Sequence, residues 1–373
     1  MRTPSLSWLP AGLLGLGLYG VIPTSLYEIR TTKLILWEWA ALALVPWFYR
    51  SWTLRWLSWW TLLGTIVCYN ARALVVCWRL TLAFLVVELL ARTWTPATVP
   101  RVLRAWRWLT VVHTTYMLLQ TLGIDPMFVA HNPLEARLAT GWLDNTTIAA
   151  AYTTITLPLW LAPGWTWMWL LSGLALIATQ SVGAVLVAAG FGAWVLWHER
   201  HWRWWWALAV PLLLLTAYSW SVRSLPWKVL QVEPLARGVV WWATIQLWSS
   251  HWWSILWGWG PGQFAPAFRG IMGTTSYPDW LRWDVAHNEW VQLLFEQGLG
   301  GLALWGHALW QWCTVAWAMA QPVVLIAVLW LVMAGGTFPA HHPGLAVVGI
   351  VLLGLLEGTR RQVTAPPASV CPL

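Results

Sequence analysis

Residues 287–301 read HNEWVQLLFEQGLGG, and they join a polar, glycine-punctuated segment to a long apolar run. The first three residues are polar, whereas the following residues are mostly apolar apart from Gln292, Glu296 and Gln297. This change predicts a helix that enters a membrane near residue 289. Charged and imidazole side chains are costly near a bilayer, so their presence at this point indicates a functional site.

Two further motifs precede this stretch in the same polar segment. Arg237 lies one helical turn before Trp241, and residues 258–264 read GWGPGQF. The glycines and Pro261 predict a tight turn. No strand pattern precedes the turn and no Gly-Lys-Ser/Thr follows it, so the run does not indicate a nucleotide-binding loop.

The composition indicates an integral membrane protein. The chain has 373 residues, of which 59% are hydrophobic and 9% charged, whereas about a quarter of the residues in a soluble domain are charged. We expect one membrane-embedded domain over residues 1–363 and a short disordered tail over 364–373. The net charge of +8 is distributed over the ends of apolar runs rather than along one stripe, which argues against a nucleic-acid partner.

Apolar runs close to the length of a membrane span tile the chain and predict an all-α, polytopic fold. A span needs about 20 residues, and about twelve such runs can be placed, with one large outer loop over about 222–288 between the ninth and tenth. The predicted spans are 8–22, 33–49, 53–70, 73–91, 102–122, 147–162, 165–180, 182–198, 203–221, 289–311, 317–334 and 343–357.

The arginine and lysine bias of the short loops predicts that both termini are cytoplasmic. With that orientation the outer short loops carry Arg30, Lys33, Arg72 and Arg137. The inner side carries the larger set of Arg2, Arg50, Arg55, Arg92, Arg101, Arg104, Arg107, Arg200, Arg203, Arg360 and Arg361. The polar segment that contains Arg237 and His287 then faces outward.

The order and spacing of the motifs resemble the O-antigen ligase family, which also holds O-antigen polymerases and bacterial protein O-oligosaccharyltransferases. The resemblance is carried by Arg237 with Trp241, by the glycine run of 258–262, and by His287-Asn288 ahead of Glu296-x-Gly298. It implies a bundle of about twelve helices in the bacterial inner membrane, with a large periplasmic loop and the active site on the periplasmic side.

The resemblance also implies an activity, which is metal-independent, inverting glycosyl transfer without a cofactor. The donor would be a glycan on a polyprenyl (undecaprenyl) diphosphate, and the acceptor would be a hydroxyl of lipid A-core. O-antigen polymerases and protein O-oligosaccharyltransferases share this chemistry with other glycan or protein acceptors. His287 matches the catalytic histidine of the family, and Arg237 matches a diphosphate-binding arginine.

The residue types at these two positions suit that chemistry. A departing diphosphate needs a cation, and no Asp-x-Asp motif is present to hold a metal. Arginine binds phosphate oxygens bidentately and stays charged. Histidine titrates near neutrality and can remove the proton of an acceptor hydroxyl. Asp284 and Glu289 are neighbours that could orient the imidazole of His287 or act as the base themselves.

One position departs from the family pattern. Val182 follows Ser181 where the family usually has an arginine, so a second phosphate-facing cation is missing from its expected place. Arg223, Lys228 or Arg72 would then replace it, the donor would differ, or the chain would be a weakened relative. The predicted substrate-binding residues are Arg223, Lys228, Trp241, Gly260, Gly262, Asp284, Asn288 and Glu289.

A membrane permease or lipid flippase is the alternative of another class. It needs a continuous polar path through the bundle, and the interior of the predicted spans offers Arg79, Glu88, His113 and scattered threonines. The polar residues instead concentrate on one side, which favours a one-sided enzyme. A non-catalytic relative is a third interpretation, and Val182 motivates it.

Overall fold

The computed structural model describes most of the chain from residue 71 to residue 364. The described ranges are 71–95, 97–125, 139–143, 145–179, 181–198, 227–272, 284–317, 321–337 and 340–364, together with residues 54, 56, 57, 60 and 61. The predicted spans 8–22, 33–49 and 203–221 lie outside these ranges, as do Arg223 and residues 365–373 of the predicted tail.

The described residues form an all-α protein, which agrees with the predicted fold class. The helices are α1 (Ala71–Thr93), α2 (Thr98–Thr121), α3 (Thr146–Ile155), α4 (Met168–Ala178), α5 (Val182–His198), α6 (Trp227–Trp248), α7 (Trp252–Trp257), α8 (Phe264–Met272), α9 (Glu289–Ala316), α10 (Gln321–Ala334) and α11 (Pro343–Thr364). Two short 3-10 helices, Gly141–Leu143 and Leu157–Leu161, flank α3.

Length and hydropathy single out α11 as long and apolar enough to cross a membrane, within the described residues. Three shorter helices are also apolar, namely α4, α5 and the Pro322–Ala334 part of α10. The number of spans therefore stays a prediction, although the described helices follow the predicted apolar runs closely in position.

The first and last described helices, α1 and α11, pack against each other through small residues and a buried ionic network. A side chain at Gly354 would meet Leu90, since a Cβ there would lie 2.6 Å from the Leu90 Cβ. Glu88 and Glu357 are fully buried, and Arg361 pairs with both of them at 2.5 and 2.9 Å. Close approach through glycine is common where membrane helices pack.

The Glu357 carboxylate also ties α9 to this pair of helices. The indole Nε1 of Trp312 donates to it at 2.7 Å, and Arg360 donates from both Nε and Nη2 at 2.8 Å. Both lone pairs on each oxygen are thereby used, which is what a buried carboxylate requires. Three helices that are distant in sequence thus share one polar centre.

Long-range contacts join ends of helices that the sequence assigns to one side of a membrane. On the predicted outer side, Gln120 accepts from the Gly141 backbone at 2.7 Å. On the predicted inner side, Arg107 donates to the Leu159 carbonyl and Gln362 to the Trp94 carbonyl, both at 3.0 Å. A bundle of alternating helices requires this grouping of ends, and the orientation itself stays a prediction.

The segment predicted as a large outer loop is mostly helical where the structure describes it. It contains α6, α7 and α8. The apolar faces of α6 and α8 meet the start of α9 in a small core formed by Val240, Phe264, Phe268, Ala286 and Phe295. Burial of these side chains fixes the segment on α9, and this position determines the geometry of the polar residues described next.

Candidate functional site

A break in α9 at Gly298 holds the glycine run of 258–262 in place. Gly298 has φ 64° inside the helix, so the carbonyls before it lose their intrahelical partners. The Phe295 carbonyl accepts the Trp259 N–H at 2.8 Å, and the Glu296 carbonyl accepts the Gly260 N–H at 2.9 Å. The backbone of the glycine run is thereby hydrogen-bonded directly to the backbone of α9 where the two segments cross.

Only glycine fits at this crossing. Gly258 has φ 75°, and a Cβ on it would lie 2.4 Å from the Glu296 carbonyl carbon. A Cβ on Gly298 would lie 2.3 Å from the Leu256 carbonyl oxygen. The predicted tight turn at the glycine run is therefore present, and it packs directly on α9.

The carboxylate of Glu296 is the main acceptor for the glycine run. Its Oε2 accepts the Gly262 N–H at 2.9 Å, and its Oε1 accepts from Gln292 Nε2 at 3.1 Å. The N–H groups of Gly260 and Gly262 hold the loop against α9, and the predicted contact of these residues with substrate stays a prediction. Gln292 and Glu296 share one face of α9, as their spacing predicts.

Gln292 connects this loop to the residue before His287. Its Oε1 accepts the Ala286 N–H at 3.0 Å, while its Nε2 also lies 2.8 Å from His341 Nε2. The carbonyl of Ala286 in turn accepts the indole N–H of Trp241 at 2.8 Å. Ala286 is therefore held at both of its backbone polar groups.

His287 is held in an unusual backbone conformation between two fixed neighbours. Its φ of 53° makes it the one non-glycine residue with positive φ among the described residues. Asn288, which follows, caps α9 because its Oδ1 accepts from the Trp290 and Val291 N–H groups at 3.0 and 3.2 Å. Such backbone strain costs about 1–3 kcal/mol and concentrates at functional sites.

Trp241 connects the helix of Arg237 to the segment before His287, and the Arg237 side chain makes a second contact of its own. Trp241, bonded to Ala286, is one helical turn after Arg237 on α6, which is about 6 Å along the helix axis. The Nη1 of Arg237 donates to the Gly336 carbonyl at 2.8 Å. The turn that follows α10 therefore contacts the Arg237 side chain.

Glu289 joins α9 to the turn before α11, a pairing that the sequence did not reveal. Its carboxylate accepts from the Ala340 N–H at 2.8 Å and lies 2.9 Å from His341 Nδ1. Burial alone would lower the pKa of His341, but the charge of Glu289 and this hydrogen bond, with Glu296 in addition, raise it to about 9. Gln292 opposes this effect, because an amide N–H directed at Nε2 favours the neutral imidazole.

The other predicted site residues have varied positions. Asp284 is exposed at the start of the described segment before α9. The hydrogen bonds described for Glu289 go to residues 340–341, and its suggested role of orienting His287 or acting as the base stays a prediction. The backbone of Lys228 lies in α6, but its side chain is outside the described part.

The described residues contain no group of three or more His, Cys, Asp or Glu side chains that could hold a metal ion. The adjacent pair of His341 and His342 is divided between two environments. His341 is partly exposed and faces Glu289, whereas His342 is buried. Chemistry without a metal therefore stays a prediction, and the polar groups that could perform it are side chains of α6, α9 and the neighbouring turns.

Sequence reasoning did not place His341 beside Glu289 or the turn around Gly336 beside Arg237. The signal was the pair of histidines directly before Pro343, at the predicted outer end of the last span. Compared with known proteins, the chain matches no protein-family model, and no curated protein is significantly similar to it.

Proposed function

We propose that this protein is a membrane-embedded glycosyltransferase that moves a glycan from a polyprenyl diphosphate to an acceptor hydroxyl. The observation that carries the proposal is the contact between Trp241 and Ala286. Through it, the helix that bears Arg237 is fixed beside the strained backbone of His287. This link supports the assignment of a cation suited to a diphosphate and a base suited to a hydroxyl to one site.

In the proposed reaction His287 removes the proton of the acceptor hydroxyl as its oxygen attacks the anomeric carbon of the glycan. The bond between that carbon and the phosphate oxygen breaks, and the electron pair stays on the diphosphate. Arg237 neutralises the charge that develops there. The single displacement from the face opposite the leaving group inverts the anomeric configuration.

The surrounding residues support this division of roles. Gln292 and Trp241 hold Ala286, and Asn288 starts α9, so the backbone that carries His287 is fixed relative to the bundle. A fixed base avoids part of the entropic cost of reaching the reactive geometry. The Gly336 carbonyl orients one edge of the Arg237 guanidinium.

Lipid A-core is our first choice of acceptor, and glycan and protein hydroxyls are the alternatives. The test supplies undecaprenyl diphosphate glycan with each acceptor to purified protein in liposomes and measures the transferred glycan. We expect Arg237→Ala and His287→Ala to abolish transfer, while His251→Gln, an exposed histidine bonded to Ser250, retains it.

The result also decides between the classes of protein. Transfer that survives both substitutions would reject the proposed site. Glycan or lipid that crosses the bilayer without covalent transfer would instead favour the permease or flippase. Binding of the donor without any transfer would favour a non-catalytic relative.

A further inference from the structure

A cavity lies at the opposite end of the bundle from the candidate site. It has a volume of about 260 Å³ and is formed by the ends of four segments. These are α2, the turn after α3, the end of α5 and the start of α10. The sequence assigns all four ends to the cytoplasmic side of the membrane.

The walls of this cavity are apolar and its ionisable groups are basic. Leu161, Trp194 and Leu325 contribute apolar surface, while Arg107 and His198 are the ionisable groups among its lining residues. The His198 ring stacks on Trp194 at a centroid distance of 5.3 Å and an interplanar angle of 10°. The lining residues that the structure describes include no carboxylate, so the ionisable groups described at this site are basic.

The guanidinium of Arg107 has N–H groups that donate to no described residue. Its Nε donates to the Leu159 carbonyl at 3.0 Å, and this is the hydrogen bond that its side chain makes to described residues. The two Nη groups are therefore available, with the planar geometry that suits phosphate oxygens. Arg104, one turn earlier on α2, is exposed and within electrostatic range of Arg107.

From this arrangement we propose that the cavity binds the phosphate headgroup of an anionic phospholipid of the cytoplasmic leaflet. The phosphate pairs with Arg107 and His198, and the acyl chains lie along the apolar side chains of α5 and α10. Basic pockets between membrane helices on the cytoplasmic side bind such headgroups. The proposal rests on the membrane location proposed above, but not on the glycosyltransferase activity.

The size of the cavity also fits a headgroup rather than a whole small-molecule ligand. Clefts for such ligands usually measure about 300–1,000 Å³, which is larger than the volume found here. A lipid needs only its headgroup inside, because its chains remain in the bilayer. Charge and size therefore point to the same occupant.

Native mass spectrometry of the detergent-purified full-length protein tests this proposal. The protein is mixed with equal amounts of phosphatidylglycerol and phosphatidylcholine of the same chain length, and retained lipid is counted. We expect preferential retention of phosphatidylglycerol, and about a five- to tenfold loss in Arg107→Gln. Arg101→Gln removes the same charge from an exposed position of α2 that does not line the cavity, and should retain the lipid.

Several outcomes would overturn the proposal. These are equal retention of the two lipids, an equal loss in Arg101→Gln and Arg107→Gln, or displacement of phosphatidylglycerol by millimolar glycerol phosphate. The last result would assign the cavity to a free phosphate. If Arg107→Gln does not fold, Val195→Glu places a negative charge at the cavity from another helix and should cause the same loss. Transfer activity is measured separately, so a failure here does not bear on the proposed reaction.

Discussion

Trp241 and Ala286 are joined by a hydrogen bond of 2.8 Å between the indole Nε1 and the backbone carbonyl. The two residues are far apart in sequence, and each is next to a residue proposed to take part in the chemistry. Arg237 precedes Trp241 by one turn, and His287 follows Ala286 directly. This one bond therefore links the helix of the proposed cation to the segment of the proposed base.

Trp241→Phe tests this role, because it removes the donor and keeps an aromatic ring. A neutral hydrogen bond contributes about 0.5–1.5 kcal/mol, so we expect about a tenfold lower rate of glycan transfer with a small loss of stability. The neighbouring Trp242 is largely exposed, and Trp242→Phe is the matched control. Equal rates in Trp241→Phe and the unsubstituted protein would show that the bond does not position the site.

Gly298→Ala tests the crossing of the glycine run with α9. The new Cβ would lie 2.3 Å from the Leu256 carbonyl oxygen, at a residue with positive φ, so we expect a loss of about 2–4 kcal/mol in unfolding free energy. Thermal unfolding in detergent measures this. Gly306, later in α9, has open space around it, and Gly306→Ala should stabilise the helix by about 0.5–1 kcal/mol.

Glu357→Ala tests the ionic centre that joins α1, α9 and α11. It leaves Arg360, Arg361 and Trp312 without their shared acceptor, so we expect a loss of about 3–5 kcal/mol. Arg92→Gln is the control with a smaller expected effect. Arg92 is partly exposed and pairs with Glu88 alone among the carboxylates of this network. Its cost should stay below about 1 kcal/mol. A similar small cost for both variants would show that the centre adds little to stability.

The pair of Glu289 and His341 gives a pH dependence of defined sign. The folded pKa of His341, about 9, exceeds its usual value near 6.5, so the pair stabilises the fold fully below pH 6.5. This stability is lost as the pH rises through about 9. The difference in Tm between the unsubstituted protein and His341→Gln should therefore shrink over that range. A difference already lost near neutral pH would show that the amide of Gln292 determines the protonation state.

Part of this architecture could be predicted from sequence because it depends on local patterns. The apolar runs gave the positions of α2, α5 and α9, and the spacing of Gln292 and Glu296 placed both on one face. The glycine run predicted a turn. Each of these inferences uses residues that are neighbours along one element.

The pairings between elements could not be predicted in the same way. Nothing in the chain indicates that Glu289 pairs with His341, since this depends on how α11 packs beside α9. The outer segment was predicted as a loop, yet it contains α6, and its contact with Ala286 requires the small core around Phe264. Such contacts depend on tertiary packing and have no local sequence signal.

The initial rate of glycan transfer by His287→Gln tests the central claim most directly. The assay uses saturating undecaprenyl diphosphate glycan and compares the variant with the unsubstituted protein and with His251→Gln. Glutamine keeps the polar character of the position but cannot accept a proton, so we predict a rate lower by about 10²–10⁴-fold, with unchanged thermal stability. A rate equal to that of the unsubstituted protein would contradict the assignment of His287 as the base.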